Sequence, residues 1–189
     1  MNRSRSDVTS QSQSQNLGRL YPVILAPYNP LYPQLYAEER LFLLGIFGDS
    51  VLRISHIGST AVPGLLSKPT IDILIEVKTG TELEPVTRRL TQAGYIVNNP
   101  PSDLIMYIKG YGEQGFEGQT FHVHVRNFGD CDELYFRDYL LTHPDTAREY
   151  GELKKPLQKQ FEYDRDGYTY AKSEFVLKVT QTAKEQLHR

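Results

Sequence analysis

The 189-residue chain holds a single cysteine, Cys131. That excludes an internal disulfide framework and any four-cysteine zinc module. No apolar run approaches the ~20 residues of a membrane-spanning helix. The first residues also lack the apolar stretch of a secretory signal. A cytoplasmic protein with no membrane partner is expected. Charge of one sign is missing too: 21 Lys and Arg stand against 23 Asp and Glu, a net of −2. A duplex DNA binder usually shows a basic footprint, so no strong nucleic-acid signal is present. With 39% hydrophobic residues, the chain has enough apolar material for one core.

Residues Met1–Leu20 differ from the rest, being rich in Ser and Gln with no aromatic residue. They carry too little apolar surface to offset ordering entropy, which predicts a disordered tail over 1–20. Val23–Leu25 reads as a short strand. Leu31, Leu35, Leu41, Leu44 and Phe47 mark the apolar side of a helix over Pro30–Phe47, with Glu38, Glu39 and Arg40 outward. Strands are expected over Val51–Ile57, Pro69–Val77, Leu104–Lys109 and Thr120–Arg126, with another beginning at Tyr95–Val97. The glycine-rich stretch Gly110–Gly118 reads as a hairpin connection. A helix over Glu82–Gln92 ends at Gly94. After Asp130 the period is helical: a short helix with Leu134, Tyr135, Tyr139 and Leu141, then a longer one with Ala147, Tyr150, Leu153, Leu157 and Phe161. Pro156 predicts a kink or early break in it. A last helix runs from Tyr168 to Leu187. The outcome is an α/β (α+β) mixed sheet with flanking helices over 21–130 and a helical C-terminal part over 131–189, packed on the same domain.

Three polar elements carry candidate chemistry. In the strand around Asp72, Ile71, Ile73, Ile75 and Val77 point one way and Asp72, Leu74 and Glu76 the other. A carboxylate in so apolar a strand needs water, a partner or a metal. In Phe121–Arg126, His122 and His124 share a face with Cα atoms ~6.6 Å apart, so both imidazoles can converge on a metal, a phosphate or a reacting group. Third, the strand ending at His56 runs into Gly58-Ser59-Thr60, where a glycine and hydroxyls permit close approach to phosphate oxygens, and Lys68 adds a positive charge. The spacing is not that of a P-loop, because Gly58 and Gly64 stand one position too far apart and Lys68 comes too late. Arg165, Tyr168 and Lys172 share one helical side if the helix is unbroken, within reach of a triphosphate or as a solvated face. Lys154, Lys155 and Lys159 carry the same two readings. Cys131 reads as incidental.

The run HIGSTAVPGLLSKPTIDILIEV resembles the signature of GrpB-type proteins, as do FHVHVR, FRDYLLTHPDTAREYGELK, GYTYAKSEF and the opening APYNPLYPQLYAEER, over about Tyr21 to Ala183. The resemblance implies a polymerase-beta-like nucleotidyltransferase fold, in which a Gly-Ser element holds nucleotide phosphates and paired acids hold divalent ions. By position, Gly58 and Ser59 match that element and Asp72 the first acid. The second-acid position holds Leu74, and the strand of the third acid carries His122 and His124. The resulting expectation is a metal-dependent nucleotidyl transfer from an NTP to an unknown acceptor. Asp72, His122 and His124 would be both catalytic and metal-ligating. His56, Gly58, Ser59, Thr60, Lys68, Arg165 and Lys172 would bind the substrate, a nucleotide or phosphorylated small molecule. The cofactor would be a divalent Mg, Mn or Zn ion. The alternative is a non-catalytic module that binds a phosphorylated ligand.

Overall fold

A computed structural model describes residues 16–98 and 105–187. Of the expected tail, residues 1–15 lie outside the described residues and 16–20 are helical. Leu104, the expected start of a strand, also lies outside them. Val23–Leu25 is not a sheet strand. The Val23 amide donates to Glu162 O at 2.7 Å and its carbonyl accepts from Gln158 Nε2 at 3.0 Å, so the end of a helix and the turn after it replace a sheet neighbour. Only Ala26 makes a bridge, to Ser67.

Helix α1 spans Tyr32–Phe47 and starts on Pro33, whose fixed φ suits a first turn. Its inward side differs from the expected one. Leu43, Ile46 and Phe47 are buried, whereas Leu31 and Leu41 are exposed. Glu39, expected outward, is buried because its carboxylate accepts from Tyr95 Oη at 2.6 Å and Lys109 Nζ at 3.1 Å.

The five strands are β1 (Val51–Ile57), β2 (Thr70–Val77), β3 (Ile96–Asn98), β4 (Ile105–Gly112) and β5 (Gly115–Asn127). Helix α2, Glu84–Gln92, precedes β3. The sheet order is β1-β2-β5-β4-β3; β2 and β5 are parallel and the other pairs antiparallel. The hairpin β4–β5 is longer than expected, since Gly110, Gly115 and Gly118 lie within its strands and not in a loop.

One sheet face carries Ile71, Ile73, Ile75 and Val77 beside Phe121, Val123 and Val125, packed on Leu43, Ile46 and Phe47 of α1 and Val86 and Leu90 of α2. Each such aliphatic burial contributes about 1.5–3 kcal/mol, so this face fixes the register of β2 and β5. The other face receives the C-terminal helices α3 (Asp132–Thr142), α4 (Pro144–Gln160), α5 (Arg165–Tyr170) and α6 (Ser173–Leu187). Phe136, Leu140, Ala147, Tyr150 and Val179 from these helices form a second core with Val62 and Leu65. Leu141, expected on the apolar side, is exposed. Pro156 does not break α4, which continues to Gln160. The expected single last helix is divided at Ala171-Lys172 into α5 and α6. Among the described residues no helix is long and apolar enough to cross a membrane.

Candidate functional site

On the second face of β2, Asp72, Leu74 and Glu76 follow one another and meet three different surroundings. Glu76 is fully buried, accepts from Arg53 Nη2 at 2.9 Å and from the Gly129 amide at 3.1 Å, and is thereby used up in structure. Leu74 is fully buried against Ile57 and Cys131, with Leu134 of α3 over it. Only Asp72, at the end that α3 leaves uncovered, opens into a cleft of about 680 Å³.

Parallel pairing sets His122 beside Asp72 and His124 beside Leu74, on one face. His122 Nδ1 stands 3.2 Å from Asp72 Oδ1 and His124 Nε2 stands 3.8 Å from it. One ligand atom from each residue falls within 4.8 Å of the others. Gly58 closes the other side of Asp72. Its φ of 70° lies in the left-handed region, and an added Cβ would overlap the Asp72 carboxylate, so only glycine lets the backbone pass there. Ser59 opens the single turn that follows.

Facing this acid and its imidazoles are four cations: Lys68, Lys154, Lys172 and Arg165. Lys68 and Lys172 lie 5.7 and 4.2 Å from the centre of the Tyr168 ring. Lys154, which is 1% exposed, sits 4.4 Å from the Tyr150 ring centre and donates to Ser59 Oγ at 3.1 Å. Among the described residues none of these three lysines is in an ion pair; the paired lysines are Lys109, Lys155 and Lys184. Burial, and then the other cations, push Lys68 and Lys154 down to about 7. Burial pushes Lys172 down to about 8, against the pull of Asp72. Burial opposes ionisation of Asp72, but hydrogen bonds from His122 and His124 outweigh it and hold the carboxyl well below the usual carboxylate range. Burial lowers His122, which favours the neutral imidazole that a metal requires.

The structure thus brings Gly58, Ser59, Lys68, Asp72, His122, His124, Arg165 and Lys172 to one cleft. It does not bring His56 and Thr60 there. Antiparallel pairing sets His56 opposite Ile73, on the α1 side of the sheet, where its ring stacks on Tyr36 at 4.8 Å. Its Nε2 meets Thr60 Oγ1 at 3.0 Å, and that hydroxyl donates to Thr70 O at 3.0 Å. Both side chains brace the turn after β1. Arg165 and Lys172 reach the cleft without the unbroken helix that would align them. Lys154 and Tyr168, each open to two readings in the sequence, line the cleft, and so do Tyr111 and Tyr150, which no polar motif in the sequence marks. Cys131 lies beneath α3 beside Leu74, and burial pushes its thiol up to about 11, which suits no nucleophile.

Two ligands of a tetrahedral ion at about 2.05 Å stand roughly 3.3 Å apart, close to the separations around Asp72 Oδ1. Asp72, His122 and His124 therefore fit one metal ion.

A family model described as GrpB protein matches residues 22–182. A UPF0157 protein of Pseudomonas aeruginosa is 38% identical over 156 residues, 81% of this chain and 64% of that protein. The UPF0157 protein YqkA of Bacillus subtilis is 33% identical over 171 residues, 87% of this chain and 49% of that protein. The chain spans about half to under two thirds of the length of these two relatives. The crystal structure of the conserved protein GrpB from Enterococcus faecalis overlays with a TM-score of 0.75 at 30% identity, covering 88% of this chain and 100% of that one. A terminal uridylyl transferase of Trypanosoma brucei overlays at a TM-score of 0.48 and 17% identity over 82% of this chain and 54% of that one, a partial likeness that carries no inference about activity. Because the family match contains every cleft residue from Gly58 to Ser173 as well as both cores, the chain belongs to the GrpB family.

Proposed function

We propose that the cleft performs metal-assisted nucleotidyl transfer from a nucleoside triphosphate to an acceptor nucleophile. One observation supports this reading: a carboxylate and two imidazoles line one cleft together with four cations, none of them in an ion pair among the described residues. An unpaired charge on the buried Lys154 is costly, and a polyanion in the cleft would supply a partner for it and for the half-buried Lys68, Lys172 and Arg165. In the reaction the acceptor attacks the α-phosphorus, the bond to the bridging oxygen breaks and pyrophosphate leaves. Lys68, Lys154, Lys172 and Arg165 bind the triphosphate and offset the charge that grows on its leaving end. Ser59 and the Gly58 backbone admit phosphate oxygens at close range. Asp72, His122 and His124 hold the ion, which supplies Lewis-acid polarisation of a phosphoryl oxygen. Two nitrogen donors with a single carboxylate suit zinc or a neighbouring transition metal better than magnesium.

The buried Leu74 favours a second reading. With no carboxylate two residues beyond Asp72, the site holds one ion at most from these ligands, which is compatible with a module that binds a phosphorylated ligand and does not turn it over. Thermal unfolding with nucleotides and Zn²⁺, Mn²⁺ or Mg²⁺, followed by a pyrophosphate-release assay, separates the two. Transfer predicts a rise of roughly 5–10 °C at a ligand concentration a hundred times Kd, and pyrophosphate release that Asp72→Asn abolishes with the fold retained. Nucleotide binding unaffected by Asp72→Asn, with no release by the parent chain, would establish the module instead.

A further inference from the structure

Tyr111 reaches the metal-ligating wall only because of an irregularity in β4. In regular pairing Met106 lies opposite His124 and Ile108 opposite His122, so even-numbered residues of β4 face the cleft. Tyr111 is odd-numbered and would face the other way. Between Lys109 and Tyr111 the register shifts, and Gly110 takes a φ of 87° with Gln119 and Thr120 packed against the position a Cβ would occupy. This bulge turns Tyr111 onto the cleft face. Phe116 and Tyr21 then hold its ring edge-on, at 5.5 and 5.1 Å. The placed hydroxyl stands 2.6 Å from His122 Nε2 and accepts from Arg165 Nη2 at 2.8 Å.

We infer that Tyr111 is a positioning residue that holds the ring orientation of His122, whichever nitrogen carries the proton, and links it to Arg165 on the anion-binding wall. The inference rests on the reading of Asp72, His122 and His124 as a metal site. His122 has both nitrogens committed, Nδ1 toward Asp72 and Nε2 toward Tyr111. When Nδ1 ligates an ion its proton must sit on Nε2. The hydrogen bond then runs from Nε2–H to Tyr111 Oη, and Arg165 donates to the same oxygen. The Tyr111 hydroxyl hydrogen is released from His122 and can serve an acceptor in the cleft. Without an ion, Tyr111 donates to Nε2 and Nδ1–H donates to Asp72. Metal binding therefore reverses one hydrogen bond and turns a donor toward the ligand.

The test compares the full chain with Tyr111→Phe, which keeps the ring contacts and removes only the hydroxyl. Zn²⁺ affinity is measured by calorimetry and the His122 tautomer by ¹⁵N NMR of the imidazole, in metal-free and zinc-loaded protein. The metal-free unfolding midpoint reports that the variant is folded. Loss of an outer partner of a ligating histidine typically weakens metal binding 10–100-fold, and that loss is expected here. Parent and variant should both show Nδ1–H without metal, where Asp72 accepts from it, and Nε2–H with metal, but the Nε2 resonance of the variant should be displaced because its hydrogen bond to Tyr111 Oη is gone. If Tyr111→Phe binds Zn²⁺ as the parent does with an unchanged Nε2 resonance, the role of Tyr111 is overturned while the metal reading stands. If the parent chain binds no Zn²⁺, the metal reading itself is overturned. A second variant, Arg165→Met, should leave the Tyr111–His122 hydrogen bond intact and cost less than Tyr111→Phe; an equal or larger loss of Zn²⁺ affinity would contradict the assignment.

Discussion

Gly58 and Lys154 show how single side chains shape the cleft from opposite directions. At Gly58 the absence of a side chain is what matters: a φ of 70° and the neighbouring Asp72 carboxylate leave no room for a Cβ. Gly58→Ala should lower stability by about 1–3 kcal/mol in urea unfolding and displace Asp72, so that Zn²⁺ affinity falls as well. Lys154 presents the reverse case, a buried amine with no carboxylate in an ion pair with it among the described residues. Lys154→Met keeps the stem and removes the charge. The metal-free and ligand-free unfolding midpoint should hold or rise, because burying an unpaired charge is unfavourable. Pyrophosphate affinity, read by calorimetry, should fall by roughly 10–150-fold, the equivalent of a charged hydrogen bond of about 1.5–3 kcal/mol. A lower midpoint with unchanged pyrophosphate affinity would make Lys154 a structural residue.

Among the elements, β2 and β5 were legible in advance, since strict alternation of apolar residues with Asp72 or with His122 and His124 assigns both faces of a strand. The rest was hidden for physical reasons. His56 and Thr60 stand beside a glycine-hydroxyl turn, yet the register that pairs His56 with Ile73 sends its ring to the other face, and register is not written in local composition. Glycines at 110, 115 and 118 look like a loop because the same positive φ serves a turn or a bulge. Lys154, Lys155 and Lys159 follow one pattern along α4, and only the packing of α4 over Ser59 selects Lys154 for burial. The break between α5 and α6 escaped because apolar spacing continues across it. The edge of the sheet illustrates how an acid on the site face can be purely structural. Glu76 joins β2 to Arg53 of β1 and to the loop after β5. Glu76→Ala should cost about 3 kcal/mol in urea unfolding, the scale for breaking a buried pair from one side, and leave Zn²⁺ affinity unchanged. A parallel loss of Zn²⁺ binding would place Glu76 in the metal site after all.

For the whole molecule the buried bases set the response to pH. Burial lowers His56 to about 4, so the unfolded chain binds more protons than the folded one between that value and about 6.5. Its contribution is complete above pH 6.5 and is lost as pH falls toward 4, at up to about 1.4 kcal/mol for each pH unit. The depressed lysines act with the same sign at higher pH: Lys68 and Lys154 near 7 and Lys172 near 8 stay neutral where unfolded lysines are charged. Stability of the ligand-free protein should therefore rise from pH 5 to pH 9 in urea unfolding. Pyrophosphate should flatten the limb between pH 7 and 9, because it pairs the lysines in their charged form. A maximum near pH 6 would contradict this assignment. Under the proposed function, the cleft lysines place an anion beside a metal. The most direct measurement is anomalous diffraction from a crystal of the full chain soaked in zinc. A single peak about 2 Å from Asp72, His122 and His124 is the predicted result. Zinc bound elsewhere, with no peak beside those three side chains, would contradict the account.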